Sequence, residues 1–252
     1  MPVLWFDSSL VLPSYTGIDD LRVKLAGFWG KGLKLNTSKS SLRNALRPTL
    51  LDDVIGHDDI KPTIKKFIEQ ERKRWLFHGP TGTGKTTLAH IVARGLRGDD
   101  YPQEVWELNG ADLRGIDDMR EVIEGTLTYP MTGKYRVFII DEAQSLTEDA
   151  KSILLKPLED EDTSAVWILC TMDKSKIHPA LRDRCDSFGL SKMGPDERKQ
   201  LVERAAKHLG YTKDTTLFLR VMENNQMYSA RDVLGAFEKL ANGMSAEAAV
   251  RA

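Results

Sequence analysis

Gly79-Pro80-Thr81-Gly82-Thr83-Gly84-Lys85-Thr86 matches the pattern Gly-x-x-x-x-Gly-Lys-Ser/Thr at every fixed position. Trp75-Leu76-Phe77-His78 before it is short and apolar enough for a buried strand, and Thr87 to Arg94 after it carries helical periodicity. Strand, glycine loop and helix are the context in which this pattern cradles phosphate. Three glycines let the backbone wrap a polyphosphate with its N–H groups, and the helix N-terminus adds partial positive charge. Lys85 can then reach the β- and γ-phosphates, and the Thr86 hydroxyl can hold Mg²⁺. Gly79, Pro80, Thr81, Gly82, Thr83, Gly84, Lys85, Thr86 and Thr87 are thus read as a nucleotide site. The alternative is a fortuitous Gly/Thr-rich turn.

The chain has 252 residues, enough for one large domain or a core domain plus a small one. A composition of 41% apolar and 29% charged residues is that of an ordinary soluble protein. The formal net charge of −1 excludes a globally basic nucleic-acid binder but permits a basic patch. Two cysteines, Cys170 and Cys185, fit a reduced compartment and are too few for a zinc cluster of their own. Met1 to Leu12 lacks a basic leader region and is interrupted by Pro2 and Asp7, with Pro13 following, so neither a secretory signal nor a membrane span is read. The expected compartment is the cytoplasm, nucleoid-associated, or the nucleus in a eukaryote.

Residues 1–46 are read as an N-terminal extension. Up to Arg47 they carry seven basic against three acidic side chains, with Phe28 and Trp29 interleaved. Contact with nucleic-acid backbone and a solvated, partly ordered extension are both open. A proline-led segment from Arg47 runs into a helix expected over Ile60–Arg74, and Val54, Ile55 and Gly56 within it can wall a base.

Further strands are expected at 104–108, 135–140 and 165–170, with helices at 117–124 and 148–158 between them. Strands alternating with helices imply an α/β fold, a P-loop NTPase parallel sheet covered by helices, with ligands at the strand C-termini. From Ser191 the strands stop, and 195–209, 213–223 and 229–241 read as amphipathic helices. The expected division is therefore a nucleotide-binding domain over 47–190 and a small all-helical lid domain over 191–252, with Ala246–Ala252 as a frayed tail or the stub of something longer.

Val137-Phe138-Ile139-Ile140-Asp141-Glu142 is an apolar strand ending in two carboxylates. Beside a phosphate loop, Asp141 would hold the Mg²⁺ shell with Thr86, and Glu142 would orient or deprotonate the attacking water. Without the loop, the same residues read as a strand followed by an acidic helix cap. Thr171 ends the next strand and is placed to hydrogen-bond the water or the γ-phosphate.

These residues together resemble the AAA+ ATPases, and more closely the clamp-loader subunits of the replication factor C and bacterial gamma/tau type. The resemblance is carried by Arg47-Pro48 with Asp53-Val54-Ile55-Gly56, by Glu107-Leu108-Asn109-Gly110-Ala111-Asp112-Leu113-Arg114-Gly115-Ile116-Asp117, by Asp141-Glu142-Ala143-Gln144-Ser145-Leu146-Thr147, and by Pro179 to Cys185. It spans roughly residues 47–242. It implies that Asp141 and Glu142 are the metal-binding and catalytic acids and Thr171 the first sensor. Arg184 would be a finger inserted into the neighbouring subunit's site, and Arg231, in the first turn of a helix capped by Ser229, the second sensor. The cofactors implied are ATP and Mg²⁺. The implied partners are a homo- or hetero-oligomer with an intersubunit ATP site, DNA held through its phosphate backbone, and a sliding clamp. Arg114, Arg120 and Lys151 are the candidate DNA contacts, each equally readable as a solvated charge.

The sequence departs from the family at several points. Asp183 stands where a serine usually precedes the finger, and it can pair with Arg184. Lys151 replaces a glutamine that in many relatives links DNA contacts to the catalytic glutamate. The zinc module of many bacterial relatives is absent. The family continues into a helical collar past the position of residue 252, so the chain is expected either to oligomerise by other means or to have its collar outside this sequence. The leading expectation is an ATP-driven switch that loads a sliding clamp at primed DNA. The alternatives are an adaptor that recruits a helicase, recombinase or other partner, and a regulatory subunit that binds ATP without hydrolysing it. Intact Lys85 and Glu142 argue against the last.

Overall fold

The computed structural model describes residues 41–113 and 115–251. Residues 1–40, most of the expected extension, and Arg114 lie outside the described residues. In chain order the helices are α1 (Leu42–Ala45), α2 (Lys61–Glu69), α3 (Lys85–Arg97), α4 (Ile116–Glu124), α5 (Glu148–Glu159), α6 (Pro179–Asp183), α7 (Pro195–Leu209), α8 (Thr216–Asn224), α9 (Ala230–Ala241) and α10 (Ala246–Arg251). The strands are β1 (Arg74–His78), β2 (Val105–Asn109), β3 (Arg136–Asp141), β4 (Ala165–Thr171) and β5 (Asp186–Gly189).

All five strands run parallel in the order β2-β3-β4-β1-β5. Their side chains alternate between two buried layers, as the two-residue period of a strand requires. Trp75, Phe77, Val137, Ile139, Val166 and Ile168 face α2 and α3, where Ile64, Leu88 and Val92 meet them. Leu76, Phe138, Ile140, Trp167 and Leu169 face α4 and α5, where Met119, Val122 and Leu154 meet them. The C-terminal ends of β1, β3 and β4 bring His78, Asp141 and Thr171 to one edge, with Phe77 beside Cys170 and Ile140 beside Leu169 in register behind them. A third buried cluster, built from Leu201, Phe218, Val233 and Phe237, joins the helices from Pro195 onward.

Several elements differ from expectation. The helix expected to run to Arg74 ends at Glu69: Arg72 N–H bonds to Phe67 O and Glu71 N–H to Ile68 O, with Glu71 left-handed at φ 54°. This closing motif reverses the chain so that Trp75 enters the sheet. β5, Asp186-Ser187-Phe188-Gly189, was not expected, because Phe188 is its one large apolar residue and no apolar alternation marks it. Its pairing with β1 supplies what its composition does not. The helix expected from Lys213 begins at Thr216, where Asp214 Oδ1 accepts the Thr216 N–H at 2.9 Å.

The expected frayed tail is α10, with Ala246, Ala249 and Val250 buried at helical spacing against the third cluster. Within the expected extension, α1 also belongs to that cluster: Leu42 is buried in it, and the Leu42 N–H bonds to Glu238 Oε1 at 3.2 Å. No described helix is long and apolar enough to cross a membrane.

Candidate active site

The loop between β1 and α3 is shaped by close backbone approaches. Gly79 has φ 148°, and a Cβ there would lie 2.2 Å from Leu190 O; one at Gly82 would lie 2.6 Å from the Ser229 side chain. Only glycine lets the loop run this close to the residues on either side. Gly79→Ala is therefore expected to destabilise the fold by about 1–3 kcal/mol through backbone strain. It should also weaken nucleotide binding, since Leu190 O is fixed by its place just after β5. Urea unfolding beside a nucleotide titration reads both effects, and an alanine variant of unchanged stability and affinity would refute the packing argument.

A cleft of about 390 Å³ opens on the loop. Thr81, Gly82, Thr83, Gly84, Lys85, Thr86 and Thr87 line it, with Val54 and Ile55 on one side, Asp141 and Glu142 at the strand end, and Arg231 from α9. The Lys85 ammonium donates to Gly79 O at 2.8 Å and Pro80 O at 2.9 Å. Burial lowers its pKa, an effect that Cys170, Glu142 and Asp141 oppose and Arg231 reinforces. Gly79 and Pro80 thus offer carbonyls to Lys85 and do not line the cleft themselves.

Gly56 departs from its expected place beside Val54 and Ile55. It lies outside the cleft lining at φ 80°, where a Cβ would meet Glu197 Oε1 at 2.5 Å, so it lets the chain turn against the start of α7 and walls nothing. Arg231 sits one residue inside the α9 N-terminus, which Ser229 caps: Asp232 N–H donates to Ser229 Oγ at 3.1 Å, and that hydroxyl donates to Asp232 Oδ2 at 2.6 Å.

At the end of β3 the Thr86 hydroxyl donates to Asp141 Oδ2 at 2.7 Å, and Asp141 Oδ1 accepts the Glu142 N–H at 3.0 Å. A hydroxyl and a carboxylate side by side are the hard oxygen donors that Mg²⁺ takes, so these two residues fit that ion. Glu142 is left-handed, at φ 51° and ψ 41°. Such strain in a non-glycine residue concentrates at functional positions. Thr171, fully buried, does not line the cleft; its hydroxyl donates to Gln144 Oε1 at 2.7 Å, and Gln144 Nε2 donates to Glu142 Oε2.

Arg184 lies outside the cleft lining of its own chain. Its guanidinium binds Glu159 Oε1, through Nε at 3.1 Å and also through Nη2, and donates to Ala180 O at 2.7 Å. Its partner is therefore Glu159 at the end of α5, not the Asp183 that the sequence suggested, because the guanidinium is turned back onto Ala180 O of α6 and meets Glu159 there. Lys151, expected at the surface, is buried, with its ammonium on Glu148 Oε1 at 2.7 Å and Lys176 O at 3.3 Å. It cannot reach DNA from there. Arg120 is exposed and paired with Asp117 at 3.1 Å.

Sequence reasoning missed several cleft residues. Arg43 from α1 lines the cleft, as does Arg204 from α7, whose guanidinium donates to Asp53 O at 2.6 Å across 151 positions. His57 is tied by its ring Nε2 to Thr83 O at 3.1 Å. Glu107 also lines the cleft and is held below the usual carboxylate range, chiefly by its hydrogen bond to His90. None carries a local signature, and of them only Glu107 falls within one of the motif phrases.

Comparison with known proteins follows the same lines. The family model described as ATPase family associated with various cellular activities (AAA) matches residues 75–192. The replication factor C small subunit of Haloarcula marismortui is 39% identical over 152 residues, covering 60% of this chain and 47% of that protein. The DNA polymerase III subunit gamma/tau of Mycoplasma pneumoniae is 34% identical over 217 residues, covering 78% of this chain and 32% of the other. The chain thus spans half or less of the length of these two relatives. Among solved structures, the Thermotoga maritima RuvB Holliday junction branch migration motor superposes with a TM-score of 0.66 at 22% identity, covering 78% of this chain and 65% of that one. That likeness speaks to the fold alone. With the glycine loop, the acidic strand end and the five-stranded parallel sheet in place, residues 75–192 are an AAA ATPase domain.

Proposed function

We propose that this chain hydrolyses ATP as a subunit of a clamp-loader-type assembly and uses the cycle to place a sliding clamp on primed DNA. The observation that carries the ATPase reading is the Thr86–Asp141 hydrogen bond beside Lys85 and Glu142, which gathers a metal-binding pair, a cation and a base on one cleft. The clamp-loader reading rests on the likeness to a replication factor C small subunit and to a DNA polymerase III gamma/tau subunit.

In this reading the Lys85 ammonium exchanges the Gly79 and Pro80 carbonyls for phosphate oxygens, and the loop N–H groups hold the rest of the polyphosphate. Thr86 and Asp141 hold Mg²⁺, which when bound neutralises charge on the phosphates. Glu142 takes the proton of the attacking water, and Arg231 brings positive charge from α9 toward the phosphates. Val54 and Ile55 receive the base. Arg184 serves a neighbouring subunit, so that hydrolysis depends on assembly. Arg120 and Arg114 contact DNA phosphates; Lys151 is withdrawn from that set.

Steady-state ATPase of the chain with its partner subunits, measured with and without primed DNA and a sliding clamp, tests the proposal. Stimulation by the two together is the expected result. Turnover indifferent to both would favour the adaptor reading, in which nucleotide state recruits a helicase, recombinase or other protein.

A further inference from the structure

We propose that Gln144 is a positioning residue that ties Thr171 to Glu142, so that the partner taken by the Thr171 hydroxyl sets the orientation of the Glu142 carboxylate. The inference rests on the reading of Glu142 as the base for ATP hydrolysis.

Gln144 lies in the short turn Ala143–Ser145, two residues beyond Glu142. Its orientation is determined by the backbone. Met172 N–H, which can only donate, points at the Gln144 side chain at 3.2 Å, so the atom facing it is Oε1. That leaves the amide Nε2 on the other side, where it donates to Glu142 Oε2. Thr171 is likewise constrained. Its oxygen accepts Asp173 N–H at 3.2 Å, and its single proton is offered to Gln144 Oε1 at 2.7 Å, with Asp173 O at 3.1 Å as the other acceptor in reach. One proton cannot serve both acceptors at full strength. When it turns from Gln144 to Asp173 O, Gln144 keeps only the Met172 donor, and its hold on Glu142 changes with it.

Gln144 does not line the cleft, whereas Glu142 does. Loss of Gln144 is therefore expected to alter turnover and not nucleotide affinity. The left-handed backbone of Glu142 fixes where its side chain starts, and the Gln144 amide is the side-chain hydrogen bond that fixes where it ends.

The experiment uses the full chain free of nucleotide, followed by ATPase assays with its partner subunits. In the free protein, the ¹³C resonance of the Glu142 carboxylate is expected to move on Thr171→Val, and to stop responding to Thr171→Val when Gln144 is replaced by Met. In the assays, Gln144→Met should lower kcat by about 10–100-fold, the effect of a misplaced base, with the Kd for ATP unchanged. Adding Thr171→Val should then cost little more. Gln144→Glu keeps an oxygen for Met172 and Thr171 but presents a carboxylate to Glu142. It should displace the same resonance even if the Met variant folds poorly. Equal Thr171→Val shifts with and without Gln144, or fully additive losses in kcat, would overturn the proposal. If Glu142→Gln itself hydrolyses ATP normally, the reading of the base fails, while the resonance coupling still decides whether Gln144 links the two side chains.

Discussion

Glu142→Gln is expected to lower kcat for ATP hydrolysis by about 10²–10⁴-fold, the contribution of a positioned general base. Binding of ATP should be unchanged. The substitution keeps the size of the side chain and replaces an oxygen that can accept a proton with an amide that cannot. The cleft is otherwise intact in such a variant: Lys85 still faces the loop carbonyls, and Thr86 still meets Asp141. Asp141→Asn is the informative contrast, because it removes charge from the metal-binding pair and should weaken Mg²⁺-dependent binding itself. Single-turnover phosphate release and a nucleotide titration separate the two outcomes. A Glu142→Gln variant retaining kcat within about threefold of the wild type would remove Glu142 from the chemistry, since loss of a transition-state interaction appears in kcat.

What the sequence made legible followed from strong local signals. The loop at 79–86 combines fixed glycines with a lysine and a threonine, and Val137–Ile140 is an unbroken apolar run ending in acids, so both announced their local structure. Residues whose placement depends on distant partners did not. Gly56 was read with its apolar neighbours, but its conformation answers to Glu197, 141 positions away. β5 is legible only through its pairing with β1. Lys151 was read by its charge, although it falls on the same helical stripe as Ala150, Leu154 and Leu158, all buried. Its burial is possible because Glu148, one turn earlier, supplies the counter-charge. Periodicity outranked residue type there. The acidic and sensor positions were read as separate roles, and Gln144 between them was passed over, because a glutamine in a turn has no signature until its two amide atoms acquire partners.

Arg184→Ala is expected to lower kcat of the assembled oligomer by about 10³-fold or more, the range for an arginine supplied in trans to phosphoryl transfer. A single chain should bind ATP as before, since Arg184 does not line its own cleft. Its present partner does not oppose the role. Glu159 and Arg184 are both partly exposed, at 55% and 31%, and an exposed pair of this kind is worth about 0–1 kcal/mol, so exchanging it for a phosphate oxygen is cheap. Mixing gives the decisive test. Arg184→Ala chains keep Glu142, and Glu142→Gln chains keep Arg184, so each variant alone is inactive while a mixed interface contains one complete site. Recovery of ATPase on mixing two inactive preparations is the expected result. Silence on mixing, with both variants shown to co-assemble, would mean that Arg184 acts within its own chain or holds α6 against α5, and the dependence of hydrolysis on assembly would then need another residue.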